Sequence, residues 1–127
     1  MREIKFRGRS SNDNKTWFSG SLVSLTDIDE AYIDHYDGLR RVIERYPVNT
    51  ATVGQFTGLK DSNDKEIYEG DVLDCKQIIA PVIYSDDGFV LDLGHVKISL
   101  WVVLHKGQKC LVIGNVHDSP ELLERKP

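Results

Sequence analysis

Apolar residues in this chain never run far before a turn-forming residue stops them. They come in short clusters such as Val72-Leu73 and Leu100 to Leu104, separated by Gly, Asn, Asp and Ser. Punctuation this frequent is the mark of many short strands. A length of 127 residues suits one compact domain, or one small domain carrying an appended lobe. A chain of this size buries roughly two-thirds of its unfolded surface, enough for a core without staples.

An apolar fraction of 40% and a charged fraction of 28% lie far from the disordered regime. No apolar run approaches a membrane span. The opening Met1-Arg2-Glu3-Ile4-Lys5-Phe6 has neither an apolar h-region nor a small-residue cleavage site. These features assign the chain to the cytoplasm, away from membranes. In a reducing compartment Cys75 and Cys110 read as two buried thiols, with a single bridge as the lesser alternative. A net charge of −4 argues against nonspecific nucleic-acid binding, which needs a positive footprint, but leaves room for a local basic patch.

Along the chain, Ile4 and Phe6 alternate with charged neighbours and predict a half-buried first strand. Ser10 to Lys15 is a polar turn, Trp17 to Leu25 a second strand, and Thr26 to Glu30 an acidic turn. Ala31 to Tyr36 and Leu39 to Tyr46 flank Asp37-Gly38, which suits a tight hairpin. Leu39, Val42, Ile43 and Tyr46 also fall at helical spacing, so hairpin and helix both stay open, with Pro47 closing the element in either case. Five strand-like runs follow: Asp71 to Lys76, Ile78 to Ser85, Gly88 to Leu93, Val96 to His105 and Lys109 to Val116. They predict a small barrel of SH3-like or OB-like type with Trp101 as its largest core side chain. His117 to Pro127 reads as a short helix. Asp118 or Ser119 would cap it, Pro120 would lie in its first turn, Leu122 and Leu123 would anchor it, and Arg125 and Lys126 would lie at its end.

Motifs that carry chemistry are missing. His35, His95, His105 and His117 are scattered, with no pair at i, i+4 and none beside a cysteine. Asp61-Ser62-Asn63 opens like a calcium loop, but Lys65, Glu66 and Val72 stand where a ligand, a glycine and a bidentate carboxylate are required. Gly54 and Gly58 belong to no phosphate-binding pattern, and no GxSxG elbow occurs. The carboxylates Asp27, Asp29, Glu30, Asp34 and Asp37 read as a solvated face. No cofactor, metal or catalytic residue is expected. One polar constellation stands out: in an extended strand Lys5, Arg7 and Arg9 share a face at roughly 7 Å intervals, near the phosphate spacing of a nucleic-acid strand. Trp17 or Phe18 could add stacking. A solvated strand face, guarded by charge against edge pairing, explains the same pattern and is preferred.

Gly54-Gln55-Phe56-Thr57-Gly58-Leu59-Lys60-Asp61, followed by Glu66-Ile67-Tyr68-Glu69-Gly70-Asp71-Val72, resembles the YopX family of bacteriophage and prophage proteins. The opening Arg2 to Gly8, the segment Asn14 to Leu22, and the ending Val112-Ile113-Gly114-Asn115-Val116 with Ser119-Pro120-Glu121-Leu122-Leu123-Glu124 are similar to it in the same order. Two departures stand out: Asp64 occupies a turn position where the family usually has glycine, and Asp27 to Asn49 and much of Ile78 to Lys109 show no match. The resemblance implies a phage or prophage protein, an SH3-like barrel in the C-terminal half, and self-association. It supplies no reaction and no catalytic residue.

The motif residues have structural explanations. Gly58 and Gly70 suit backbone angles that other residues resist. Asp61 can accept from the N–H groups of its turn. Ile67 and Tyr68 would point one inward and one outward, and Gly70-Asp71 would lead into the first barrel strand. Gly114-Asn115 would end the last strand, and Pro120 would begin the tail helix. The expected architecture is therefore mostly β, with a hairpin-rich lobe over 1–58 and an SH3-like barrel with a C-terminal helix over 59–127. The expected role is a non-enzymatic interaction or assembly module, a homo-oligomer with a phage or host protein partner. The alternative is a nucleic-acid-binding accessory protein using Lys5, Arg7 and Arg9.

Overall fold

The computed structural model describes residues 3–86 and 88–124. The fold is mostly β, as expected, and divides into two compact units, Met1–Phe56 and Thr57–Pro127.

The first unit is built from β1 (Phe6–Arg9), β2 (Trp17–Leu25), β3 (Glu30–Asp37) and β4 (Val42–Val48), joined as successive antiparallel hairpins. The first residues of β5 (Gly54–Lys60) add to the other side of β1, with Phe6 opposite Gln55 and Arg7 opposite Gly54. Alternation sends Phe6, Phe18, Leu22, Ala31, Ile33 and Val48 to one face, where they make the core. Phe18 stacks on Tyr46 with ring centroids 3.9 Å apart. The sheet then curls until its ends meet: Ser10, just past β1, bridges Val48. Ser11 N–H donates to the Pro47 carbonyl (3.1 Å) and Asn49 N–H to that of Arg9 (2.8 Å). Gly8 makes this closure sterically feasible, since a Cβ there would lie 2.7 Å from Val48 Cγ2.

Between β3 and β4 the hairpin reading holds, but the turn is not the expected two-residue one. Asp37 Oδ1 accepts from the N–H groups of Leu39 (3.0 Å) and Arg40 (3.3 Å), and the left-handed residue is Arg41 (φ 56°). Pro47 does not close the element; it lies inside β4, opposite Tyr32. Ile4 is 70% exposed rather than half-buried, because β1 begins at Phe6. The acidic turn after β2 is a 3-10 turn, Thr26–Ile28.

In the second unit the end of β5 pairs with β6 (Glu66–Tyr68). A separate five-stranded antiparallel sheet has the order β10-β9-β8-β7-β11, from β7 (Asp71–Cys75), β8 (Ile78–Ser85), β9 (Gly88–Asp92), β10 (Lys97–Ser99) and β11 (Cys110–Asn115). Strands β7 to β10 form a four-strand meander, a fifth strand, β11, returns beside β7, and β10 and β11 remain the edges. Its core gathers Ile67, Leu73, Ala80, Val82, Leu91 and Leu100.

Val96 to His105 is not one strand. β10 stops at Ser99, whose hydroxyl accepts from Val102 N–H (3.4 Å) and starts α1 (Leu100–His105). Helical spacing then turns Leu100, Val103 and Leu104 toward the core and leaves Trp101 57% exposed, so Trp101 is not the core residue it was expected to be. Cys75 and Cys110 are directly opposed across β7 and β11, with Cα atoms 4.2 Å apart, and form a disulfide instead of two separate thiols. The tail is a 3-10 turn, Pro120–Glu124, begun by Pro120. Leu122 is half-buried and would meet a Cβ on Gly114 at 2.8 Å, whereas Leu123 is 41% exposed. Arg125 and Lys126 lie outside the described residues.

Candidate functional site

The basic constellation of β1 is real as a face and occupied as chemistry. Lys5, Arg7 and Arg9 lie on the side of β1 opposite Phe6 and Gly8, all half-buried. Lys5 Nζ sits 5.0 Å from the Phe56 ring centroid and 3.6 Å from a Glu3 carboxylate oxygen. The Arg7 guanidinium lies 4.8 Å from the Trp17 ring, brought there because Trp17 opposes Arg9 on the neighbouring strand. Cations laid flat on aromatic rings gain from the ring quadrupole and bury their stems. Arg9 N–H donates to Thr52 Oγ1 (2.9 Å), and that hydroxyl donates to the Asn49 carbonyl (2.7 Å). Trp17 thus meets Arg7, while Phe18 belongs to the core.

The motif residues of the second unit form a polar scaffold. Asp61 is 8% exposed; its Oδ1 accepts from Asn63 N–H (2.8 Å) and Lys65 N–H (2.9 Å), and its Oδ2 from Val112 N–H (2.9 Å). Burial pushes this carboxyl up, but the bonds from Val112, Lys65 and Asn63 and the Lys65 charge outweigh it and hold its pKa below the ordinary 3.8. Asp61 therefore staples its own turn, as expected, and also the far edge of β11, which sequence spacing could not reveal. Ser62 adds a reciprocal pair with Cys110: Cys110 N–H to Ser62 Oγ (3.1 Å) and Ser62 N–H to the Cys110 carbonyl (2.9 Å).

Asp71 is 1% exposed and its Oδ2 accepts from Tyr68 N–H (2.8 Å), closing the Tyr68-Glu69-Gly70-Asp71 turn. Gly58 (φ 83°) and Gly70 (φ 95°) take the left-handed conformations expected of them. Glu69 is half-buried in that turn, and Gly54 is buried where β5 meets β1. Ile67 and Tyr68 are both buried, at 0% and 6% exposed, where one of them was expected to face outward. Asn115 ends β11 and its Oδ1 accepts from His117 N–H (2.9 Å) and Asp118 N–H (2.8 Å), leading the chain to Pro120. Thr57 was passed over in the sequence, yet its buried hydroxyl donates to the Ile67 carbonyl (2.7 Å) and ties β5 to β6.

Little here resembles an active site. Among the described residues no cluster of three or more His, Cys, Asp or Glu side chains is placed to hold a metal. His105 stacks on Trp101 with centroids 3.8 Å apart. The first unit has an open hollow of about 310 Å³, lined in part by Ser11, Asp29, Glu30, Tyr32 and Asn49, in which Tyr32 O–H donates to Glu30 (2.7 Å). No described helix is long and apolar enough to cross a membrane.

The β3–β4 hairpin, in contrast, presents apolar surface that no turn chemistry requires. Tyr36 is 61% exposed, Leu39 98%, Val42 42% and Ile43 67%. Tyr36 and Ile43 are direct cross-strand partners. Ion pairs flank them: Arg40 bonds Asp37 and Glu44, and Arg45 makes a two-pronged contact to Asp34 (2.7 and 2.9 Å). That contact holds the Asp34 carboxyl below its ordinary pKa. Leu39, Val42 and Ile43 are three of the four residues whose spacing also allowed a helix in the sequence; the fourth, Tyr46, stacks on Phe18 instead. The missed signal was an apolar cluster on a hairpin with no opposing face to bury it.

No curated protein matches this chain. Among solved structures it is similar to protein EF1440 from Enterococcus faecalis, at 23% identity and a TM-score of 0.59, over 97% of this chain and 99% of that one. At that identity the likeness speaks for the fold. The family model described as YopX protein matches residues 5–124, reaching across both units and covering the motif segments traced above except the first residues of the opening one. The chain belongs to the YopX family.

Proposed function

We propose that this chain is a non-enzymatic interaction or assembly protein, encoded by a phage or prophage, that associates with copies of itself. The observation that carries the reading is the apolar hairpin surface of Tyr36, Leu39, Val42 and Ile43. Clustered exposed apolar side chains with a charged rim are the usual makeup of a docking surface. Support also comes from the motif carboxylates Asp61 and Asp71, whose oxygens accept bonds that hold their own turns. The nucleic-acid reading draws less support, because Lys5 and Arg7 are laid against Phe56 and Trp17.

Light scattering of the purified chain across a concentration series tests self-association: a mass at a multiple of the monomer is expected, and a strict monomer at the highest concentration removes it. The proposed cytoplasmic setting meets its own test in the Cys75–Cys110 bridge. Thiol labelling in intact cells should find both cysteines blocked if the bridge forms in vivo, and complete labelling would mean that the cytoplasm keeps them reduced.

A further inference from the structure

The hydrogen bonds at the closure of the first sheet reveal which way each residue of β4 points. Pro47 and Asn49 bond to Ser11 and Arg9, on the side away from β3. Backbone direction alternates along a strand, so Val42, Glu44, Tyr46 and Val48 turn their N–H and C=O groups toward β3. Ile43 and Arg45 turn theirs outward. Ser10 and Ser11 cover the outward side at Pro47 and Val48, and among the described residues nothing pairs with it at Ile43 and Arg45. Sheet edges are ordinarily guarded by charge, proline, bulges or covering segments; β4 carries Glu44, Arg45 and Pro47, yet it also sets exposed Val42 and Ile43 on the edge with Tyr36 and Leu39 close by.

We infer that a second copy of this chain pairs with this edge, β4 against β4 about a two-fold axis through Glu44, with Ile43 opposite the partner copy's Arg45. This rests on the self-association proposed above and names its surface. The register follows by elimination. An axis through Arg45 sets Ile43 against Pro47, which has no N–H and whose carbonyl already serves Ser11. An axis through Ile43 sets Arg45 against Arg41, a left-handed turn residue. An axis through Glu44 uses both outward groups of Ile43 and Arg45 on each copy, making four backbone bonds. It sets Val42 beside Tyr46 across the seam.

The charge balance favours a copy over a foreign partner. Asp34, Asp37 and Glu44 equal Arg40, Arg41 and Arg45 in number on this hairpin, with Arg40 and Arg45 bonded to the three carboxylates, a neutral set of both signs that can complement itself. Glu44 meets its own counterpart at the axis with its charge already offset, since Arg40 and the Tyr46 hydroxyl both bond its carboxylate.

Cross-linking reads the register directly. At the axis the two Cα atoms form a non-hydrogen-bonded pair about 4.5 Å apart, within disulfide reach. With oxidised glutathione accepting the electrons, Glu44→Cys should give a covalent dimer on a non-reducing gel about ten-fold faster than Leu39→Cys, because pairing raises the local thiol concentration. Leu39 is more exposed but off the axis. Arg45→Pro deletes an outward N–H and should be folded by circular dichroism and monomeric by light scattering. If the native chain associates while Glu44→Cys links no faster than Leu39→Cys, the edge is the wrong surface and self-association stands. A native chain that stays monomeric removes both.

Discussion

The two units of this protein solve the edge problem of a small sheet in different ways. The first curls until Ser10 meets Val48 and leaves a short stretch of β4 uncovered, dressed with apolar side chains. The second leaves β11 at the edge of its sheet and ties it down from both sides, by the Cys75–Cys110 bridge to β7 and by Asp61 and Ser62 on the other flank. The motif that marks the family falls mostly on the tied unit. The free apolar surface falls on the other, in a segment that carries none of the motif residues traced above, although the family model spans it. The motif residues Asp61 and Ser62 thus hold the fold of their unit, while the exposed apolar side chains of the hairpin lie outside the motif segments.

The comparison can be broken unit by unit, because Trp17 reports on the first and Trp101 on the second. The largest expected effect is reduction of the disulfide. A sequence separation of 35 corresponds to about 4 kcal/mol of stability by chain-entropy reasoning. The Trp101 transition in urea should shift by that amount on reduction, and the Trp17 transition should not; a common shift would mean that the two units melt as one.

Next comes Asp61→Ala, which leaves three backbone N–H groups without their charged acceptor and should cost about 2–3 kcal/mol in the same Trp101 transition. Asp61→Asn sharpens this through pH. A carboxyl whose folded pKa lies below its unfolded value stabilises the fold above the unfolded value, and that contribution is lost as pH falls through the folded one. The stability gap between native and Asp61→Asn chains should thus be full above pH 3.8 and close as acid is added below it. A gap constant in pH would mean that the aspartate acts by shape alone.

In the first unit, Gly8→Ala should cost about 1–3 kcal/mol in the Trp17 transition, because its Cβ would press on Val48 where the sheet closes. Smallest of all, Leu39→Ser should stay within about 0.5 kcal/mol of the native stability, since the side chain is fully solvated. The same variant should weaken association, the opposite profile to Asp61→Ala, and equal association by both chains would erase the contrast between a holding unit and a docking unit.

Much of the architecture was legible because strand residues obey local rules. β2 and β8 begin and end at the predicted residues, and Gly58, Gly70 and Pro120 do what their backbone chemistry dictates. Val96 to His105 was misread because it satisfies two periods at once: alternate positions are apolar, and so are Leu100, Val103 and Leu104 at helical spacing. Ser99, a good N-cap, was the residue that could have decided between them. Pro47 was misread because a proline ends most elements, yet an outward-facing edge position needs no N–H. The cysteine pairing and the bond from Asp61 to Val112 depend on which strands lie side by side, which no local pattern encodes. Lys5, Arg7 and Arg9 were correctly placed on one face, but the aromatic neighbours that occupy them come from β2 and β5.

The bond from Asp61 to Val112 spans 51 residues, and the closure of the first sheet joins Ser10 to Val48. On a chain emerging from the ribosome these contacts act as clocks. The first unit has every strand it needs once Gln55 is out, and can complete while much of the message is still being read. The second cannot seat Asp61 until Val112 in its last strand appears, 51 residues later, so its carboxylate and its core wait, open to solvent and to proteases, until synthesis is nearly over. The motif carboxylate is thus still waiting for its partner after the first unit has closed.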